Sequence, residues 1–261
     1  MKKRKFTKYT IISAAAVILF LLLWHLCTDG AGAGNRNMLL PSPTAVVKAL
    51  VEKCYDPNPE GATLLVHIAA SLKVALSGYL IGLLIGIPLG ICMAWYKGID
   101  YFVRPVFDLI RPVPGIAWIP LMIIFFGIGL LSKAMVIFLS SFTACVINSY
   151  SGIKQTRTVH LWVGKTFGFS NTRLLFKVAI PTSMPMILTG MKGALATSWG
   201  ALIAAELLAS TAGVGFMIQQ ARAVIRPDII IAGMVVIGAI GALLSMLLTQ
   251  LEKQLLKGGR W

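Results

Sequence analysis

Long uncharged apolar runs limit what this chain can fold into more than any other feature. A hydrocarbon layer about 30 Å thick requires roughly 20 apolar residues of helix. Runs of about that length without Asp, Glu, Lys or Arg occupy residues 11–27, 74–96, 112–132, 134–153 and 229–251. A further apolar stretch, 185–209, contains Lys192 and Glu206. With 57% hydrophobic and 13% charged residues, the sequence predicts an all-α membrane protein with six transmembrane helices.

The net charge of +15 fits membrane topology better than nucleic-acid binding. Lys and Arg lie mainly at the ends of apolar runs, and they form no single patch interleaved with aromatic residues. Cytoplasmic loops of membrane proteins carry an excess of Lys and Arg, which places both termini and the basic region at 154–181 in the cytoplasm. We therefore expect a multi-pass protein whose surroundings are the lipid bilayer, with no nucleic-acid partner.

Catalytic and metal-binding patterns are missing from the sequence. The four cysteines form no C-x-x-C pair, and the three histidines are far apart. There is no H-E-x-x-H, no G-x-S-x-G and no Walker A sequence. We therefore predict no catalytic residue, no metal and no cofactor bound by this chain, which argues against an intramembrane enzyme. A secondary transporter or channel remains an alternative, and ATP hydrolysis would require a separate subunit.

The same pattern predicts the organisation along the chain. Residues 1–10 form a basic cytoplasmic N-terminus, 11–27 the first transmembrane helix, 28–63 an extracytoplasmic connection, and 64–260 a core with the other five spans. A basic head before an apolar run is also typical of a secretory signal. However, the residues at 22–27 lack the small side chains of a cleavage site, so we expect a retained helix.

Two patterns distinguish the spans of the core. Gly78, Gly82, Gly86 and Gly90 recur every four residues, which gives one side of a helix a narrow stripe that another helix can approach closely. The segment 112–120 contains three prolines, each of which removes a backbone donor and crowds the preceding turn. We expect that span to be kinked or broken where protein or a watery cavity covers the freed backbone groups.

The basic loop, residues 154–181, interrupts the apolar pattern. It carries several Lys and Arg residues and no Asp or Glu. Gly168 permits a tight turn, and Ser170 or Asn171 can cap a short helix that is predicted to stop at Pro181. Such a loop is typical of a cytoplasmic docking surface, with an amphipathic helix resting on the membrane as the alternative.

Two motifs, one in the basic loop and one in the proline-rich segment, resemble those of one transporter family. Gly168, nine further residues and then Val178-Ala-Ile-Pro181 resemble the EAA loop of binding-protein-dependent ABC importer permeases. That loop reads Glu-Ala-Ala, three residues, Gly, nine residues, an apolar residue, one residue, Leu-Pro. Trp-Val-Gly stands at 162–164 in place of Glu-Ala-Ala. The Arg-Pro, Pro and Ala-Trp-Ile-Pro elements at 111–120 resemble the nitrate, sulfonate, taurine and bicarbonate branch.

This resemblance implies a type I ABC importer permease (MetI-like) fold with an EAA-type coupling helix. It also implies a homodimer in the bacterial cytoplasmic membrane, two cytoplasmic ABC ATPases that bind ATP and Mg, and an extracytoplasmic solute-binding protein. The residues expected to couple to the ATPase are Phe167, Gly168, Phe169, Ser170, Arg173, Leu174 and Pro181. The residues expected on the translocation pathway are Arg111, Trp118, Ser198 and Glu206.

The branch implies a small organic anion or zwitterion as the solute. A sulfonate such as taurine comes first, and nitrate, bicarbonate or a thiamine or riboflavin precursor are the alternatives. Glu206 can either position Lys192 or Arg111 within the bundle or stabilise the cationic group of a zwitterion. Arg111 can attract an anion or anchor the end of a span at the cytoplasmic face.

Overall fold

The computed structural model describes residues 2–29, 40–58 and 61–257. All regular structure in these residues is helical. Parts of the predicted connection 28–63, the first residue of the predicted N-terminus, and the end of the predicted core 64–260 lie outside the described residues. The helices are α1 (Lys2–Asp29), α2 (Pro43–Tyr55), α3 (Leu64–Trp95), α4 (Lys97–Ile110), α5 (Ile119–Phe126), α6 (Leu130–Lys154), α7 (Thr158–Thr166), α8 (Asn171–Leu174), α9 (Ile180–Leu208), α10 (Val214–Ala223) and α11 (Pro227–Lys257).

Within the described residues, five or six helical segments correspond to the six predicted spans. Five segments are long and apolar enough to cross a membrane: Tyr9–Thr28, Leu64–Trp95, Leu130–Lys154, Asn171–Leu208 and Pro227–Leu256. A bent pair, Lys97–Ile110 and Gly115–Phe126, makes a sixth if its two halves, bent by 82°, count as one span. The all-helical fold class predicted from the apolar runs is confirmed.

Proline chemistry explains the broken span. The α4 helix ends at Ile110, and Pro114 is extended, with φ −63° and ψ 143°. A short 3-10 turn, Gly115–Trp118, follows and leads directly into α5. Because proline cannot donate its backbone nitrogen to a helix, the segment cannot continue α4 in a straight line. The predicted break is confirmed.

The chain forms two compact units. The smaller one consists of Met1–His67 and Met217–Val236, and the larger one of Ile68–Phe216 and Ile237–Trp261. In the smaller unit, the Ser42 side chain caps α2 by accepting from the Ala45 backbone N–H. The Trp24 indole donates to the Pro41 carbonyl oxygen over 3.1 Å. These bonds fix the start of α2 beside the end of α1.

The core of the larger unit forms where α3, α6 and α9 meet. Val74 and Tyr79 of α3, Ile137 and Cys145 of α6, and Leu202 of α9 belong to one buried cluster. The Tyr79 hydroxyl donates to the Met191 carbonyl oxygen of α9 over 3.0 Å. A second cluster packs α5 against α6 and α9. The larger unit is therefore built on three long helices, with the broken span attached to them.

The glycine stripe of α3 is the surface that receives α6. A Cβ added at Gly78 would lie 2.5 Å from the Ala134 carbonyl oxygen, and one added at Gly90 would lie 2.6 Å from the Val146 carbonyl oxygen. Gly86 faces the Phe142 carbonyl oxygen in the same way, and Gly82 faces the Ser141 side chain. Side chains would therefore separate the two backbones, and the close approach predicted from the four-residue spacing is confirmed.

Replacing Gly78 by alanine tests this packing. We expect Gly78→Ala to destabilise the protein by about 1–3 kcal/mol because the new methyl group would meet backbone atoms that cannot move aside. The matched control is Gly193→Ala in α9, where an added Cβ meets nothing within 4 Å. Thermal unfolding in detergent should give a lower Tm for Gly78→Ala only. Equal Tm values for the two variants would contradict the close-packing role.

Candidate functional site

A compact helix end forms the first half of the basic loop. The α7 helix ends at Thr166 with Phe167 as its C-cap, and Gly168 then adopts φ +73°. The Gly168 N–H donates to the Lys165 carbonyl oxygen, and the Phe169 N–H donates to the Gly164 carbonyl oxygen over 3.1 Å. This pair of bonds is a Schellman motif, which requires a left-handed residue and so favours glycine.

Ser170 starts the next helix immediately after the turn. Its backbone is extended, and its hydroxyl oxygen accepts from the Arg173 N–H over 3.4 Å. The Leu174 N–H donates to the Ser170 carbonyl oxygen over 2.9 Å. Ser170 is therefore the N-cap, which selects between the two capping residues that the sequence allowed.

Pro181 does not end this helix, contrary to the prediction. The chain stays helical from Asn171 to Leu208, passing through a π-helical turn at Leu175–Ala179 before α9 begins. The Ile180 N–H donates to the Leu175 carbonyl oxygen, which is the π pattern. Pro181 stands in the first turn of α9, directly after the π-helical turn. The backbone N–H that a proline lacks is not needed in a first helical turn.

The loop exposes apolar and basic side chains together. Trp162 is 64% exposed and Phe167 76% exposed, and Val159, Val163 and Phe176 also face outward. Of the predicted coupling residues, the exposed ones are Phe167, Gly168, Ser170 and Arg173, and the partly buried ones are Phe169 and Pro181. Exposed aromatic rings beside cations are typical of a surface that binds another macromolecule.

Leu174 is the predicted coupling residue that does not lie on this surface. It is 2% exposed, and a Cβ added at Gly164 would lie 2.5 Å from its Cδ2 atom. Leu174 thus joins α7 to α8 inside the loop. Gly164 was missed by the sequence reasoning. The signal was present, since position 164 takes a small residue in the EAA pattern as well.

A cavity of about 450 Å³ lies between the broken span, α6 and α9. We name it the Trp118 cavity. Arg111 and Trp118 line it, together with the hydroxyl-bearing residues Ser140, Thr143 and Thr197. The cavity borders the proline break, since Pro114 and the residues on either side of it belong to its lining.

Ser198 and Glu206, the other two predicted pathway residues, do not line this cavity. The Ser198 hydroxyl is buried and donates to the Ala194 carbonyl oxygen in its own helix. Lys192 forms an ion pair with Glu252, and Arg111 forms one with Asp108. The two cations proposed as partners of Glu206 are therefore engaged elsewhere.

Glu206 instead holds a turn of the chain. It is 1% exposed, and it accepts hydrogen bonds from the Ser71 hydroxyl over 2.7 Å and from the Gly215 N–H over 2.9 Å. The Val214 N–H donates to the Ser71 oxygen over 2.9 Å. The carboxylate thus connects α9, α3 and the start of α10, which explains how a charged group is tolerated at this depth.

Glycine makes this arrangement possible. Gly213 has φ +133°, and a Cβ there would lie 2.3 Å from the Glu206 Oε1 atom. A Cβ at Gly215 would lie 2.7 Å from the Glu206 Cβ atom. Nearby, Lys133 donates to the Ser210 hydroxyl over 2.7 Å. The backbone can approach the carboxylate because both glycines lack side chains.

The Ser71 hydroxyl offers a test of this network. We expect Ser71→Ala to lower the free energy of unfolding by about 1–3 kcal/mol, because the buried carboxylate loses a donor and Val214 loses an acceptor. The control is Ser77→Ala on the same helix, since the Ser77 hydroxyl donates to the Val74 carbonyl oxygen and, among the residues described, to no other group. Denaturation in detergent should separate the two variants. Equal stability would show that Glu206 does not depend on Ser71.

Comparison with known proteins adds the family context. Residues 82–257 match the family described as binding-protein-dependent transport system inner membrane component. The taurine transport system permease protein of Escherichia coli is 36% identical over 218 residues, which cover 84% of this chain and 79% of that protein. The nitrate import permease protein of Leptolyngbya laminosa is 29% identical over 247 residues, covering 93% and 86%.

A solved structure shares the fold. The inward-facing MetNI methionine ABC transporter superimposes with a TM-score of 0.65 at 15% sequence identity, covering 74% of this chain and 95% of that one. At this identity the likeness concerns the fold alone, which is that of a type I ABC importer permease. The superposition covers most of the MetNI chain.

Proposed function

This chain belongs to the family of binding-protein-dependent transport system inner membrane components, and on that premise we propose that it translocates a small organic anion or zwitterion. It is a permease subunit of an ABC importer and a transporter component rather than an enzyme. A taurine-like sulfonate is our first choice of cargo, in keeping with the name of the Escherichia coli relative. Nitrate is the second, in keeping with the Leptolyngbya relative.

The charge of the Trp118 cavity is the observation that carries the cargo class. Arg111 lines it, and among the described residues neither Asp nor Glu does. The hydroxyls of Ser140 and Thr143 bond to carbonyl oxygens of their own helix over 3.0 and 2.9 Å. Each can turn its hydrogen toward an anion without leaving a buried donor unpaired. Such a lining favours an oxyanion over a cation.

Trp118 suits the cationic end of a zwitterion. Its indole lines the same cavity as Arg111, and a small ammonium group packs favourably over an aromatic face. A cavity of about 450 Å³ also has room for a molecule of a few heavy atoms together with water. These features support a sulfonate that bears an amine, and a simple inorganic anion would use only the arginine side.

The basic loop is the proposed contact with the ATPase. We assign it to the cytoplasm, with both chain termini on the same side, because of its Lys and Arg excess. Its exposed rings and Arg173 would lie in a groove of the partner. Because the chain is helical without interruption from Asn171 to Leu208, a displacement of α8 would move α9 as a lever and open the pathway to alternate sides.

The assembly follows from the same proposal. Two copies of this chain would enclose the pathway, two ATPases would bind ATP and Mg, and an extracytoplasmic binding protein would deliver the solute. Exposed apolar side chains along α1, α4 and α5 leave ample surface for lipid and for a second copy. No ATP site is proposed on this chain itself.

Reconstitution tests the cargo assignment. The chain is purified with the ATPase and the binding protein encoded beside it and placed in liposomes with ATP. We expect a sulfonate carried by the binding protein to stimulate ATP hydrolysis and to accumulate in the compartment that contains ATP. A cationic solute as the only stimulant would refute the anion proposal. Uptake that proceeds without ATP would refute the importer mechanism.

Substituting Gly168 tests the coupling role. We expect Gly168→Val to strain the left-handed turn by about 1–2 kcal/mol, displace α8 and reduce solute-stimulated ATPase activity and uptake while the chain still inserts. The control is Gly61→Val, since Gly61 also has positive φ and an open position, but on the predicted extracytoplasmic connection. ATPase activity and uptake are measured for both. Normal uptake by Gly168→Val would contradict the assignment.

A further inference from the structure

A second cavity adjoins the Trp118 cavity in the larger unit. It has a volume of about 320 Å³ and is lined by Arg104, Asp108, Arg111 and Tyr150, with apolar side chains that include Phe107. We name it the Arg104 cavity. Arg111 and Ile147 line both cavities. The two spaces therefore meet at one guanidinium group.

Arg104 is held in a fixed orientation at this second cavity. Its Nε atom donates to the Asp100 Oδ1 atom over 3.1 Å, and its Nη2 atom lies 3.0 Å from the Asp100 Oδ2 atom. Nη2 also donates to the Tyr150 hydroxyl, and the guanidinium lies over the Tyr150 ring at 5.1 Å. Within the described residues, the Nη1 atom of Arg104 makes no hydrogen bond. A preoriented guanidinium with unused donors is well suited to bind an oxyanion.

Arg111 is held much more loosely. Its Nη1 atom lies 3.3 Å from the Asp108 Oδ1 atom, and the two side chains are 52% and 44% exposed. An exposed ion pair with a single long contact is worth little, so an incoming anion can replace Asp108 at Arg111. Asp108 is the one acidic residue that the described chain contributes to the lining. It therefore competes with any anion that enters.

We infer that the Arg104 cavity is a second binding site for a small oxyanion, held between Arg104 and Arg111. The inference rests on the proposed anion transport, because it makes Arg111 the group that passes cargo from the Trp118 cavity to the Arg104 cavity. When the anion leaves, Asp108 forms its ion pair with Arg111 again. This competition keeps the affinity low enough for the ligand to be released. The phosphate of an anionic lipid has the same chemistry and is the other source of an oxyanion.

Binding of ethanesulfonate to the importer in nanodiscs tests the site. The complete complex is titrated by calorimetry in phosphatidylcholine, which supplies no anionic headgroup. We expect Arg104→Gln to weaken binding about tenfold, as loss of a charged hydrogen bond does. We expect Asp108→Asn to strengthen binding several-fold, because the competing carboxylate is gone. Opposite signs in two neighbouring variants cannot come from a general loss of structure.

The matched control is Lys97→Gln, which removes a cation from the same helix but not from the cavity lining. Ethanesulfonate binding that is equal for Arg104→Gln and Lys97→Gln, or that is unchanged by Asp108→Asn, would overturn the inference. Adding phosphatidylglycerol distinguishes the two sources. If phosphatidylglycerol competes with ethanesulfonate in the wild type but not in Arg104→Gln, the lipid phosphate is an occupant of the site. If the lipid leaves ethanesulfonate binding unchanged, the occupant is the cargo.

ATP-dependent uptake separates this inference from the proposed function. If the wild-type importer and Lys97→Gln take up no anion, the proposed anion transport has failed. If both transport normally while Arg104→Gln binds ethanesulfonate as they do, only the second site has failed. The inference is supported when Arg104→Gln loses affinity and Lys97→Gln does not.

Discussion

The close contact of α3 with α6 is the interaction on which the larger unit depends. Apolar side chains gain no hydrophobic stabilisation from leaving lipid for one another, so the helices associate through close packing and hydrogen bonds. The glycine stripe from Gly78 to Gly90 brings the backbone of α3 against carbonyl oxygens of α6. The buried cluster that includes α9 assembles on this pair. The broken span packs on α6 and α9, and α6 contributes to the lining of both cavities.

Prolines stand at two departures from regular α-helical hydrogen bonding in the larger unit. At 112–114 the prolines interrupt a span and leave a cavity beside Arg111. At 175–179 a π-helical turn adjusts the backbone before Pro181 without ending the helix. The interruption at 112–114 borders the Trp118 cavity, whereas the helix stays continuous through 175–179. Pro114 thus stands at a break, whereas Pro181, in the first turn of α9, lies within a continuous helix.

The buried Glu206 carboxyl group is held by hydrogen bonds, and the buried cation Lys133 lies close enough to interact with it electrostatically. Glu206 accepts from the Ser71 hydroxyl and the Gly215 N–H, and its position requires glycine at 213 and 215. This arrangement restrains the connection between α9 and α10. By contrast, the arginines at the cavities are partly exposed. In the described structure, Glu206 is buried where α9 meets α10, whereas Arg104 and Arg111 are accessible beside the two cavities.

The sequence by itself determined the all-helical apolar segments, the glycine stripe, the proline break and the turn at Gly168, because each depends on local chemistry. The length of an uncharged run and the four-residue spacing of glycines can be read from a short segment. The same holds for the backbone donor that proline lacks and for the positive φ that glycine permits. Only the tertiary structure decided that Leu174 is buried, that Ser198 and Glu206 stand apart from the Trp118 cavity, and that Glu206 bonds to Ser71 instead of to Lys192 or Arg111. Ser71 and Glu206 are distant in sequence, and no local pattern specifies which face of α9 meets α3. That pairing depends on how the helices pack.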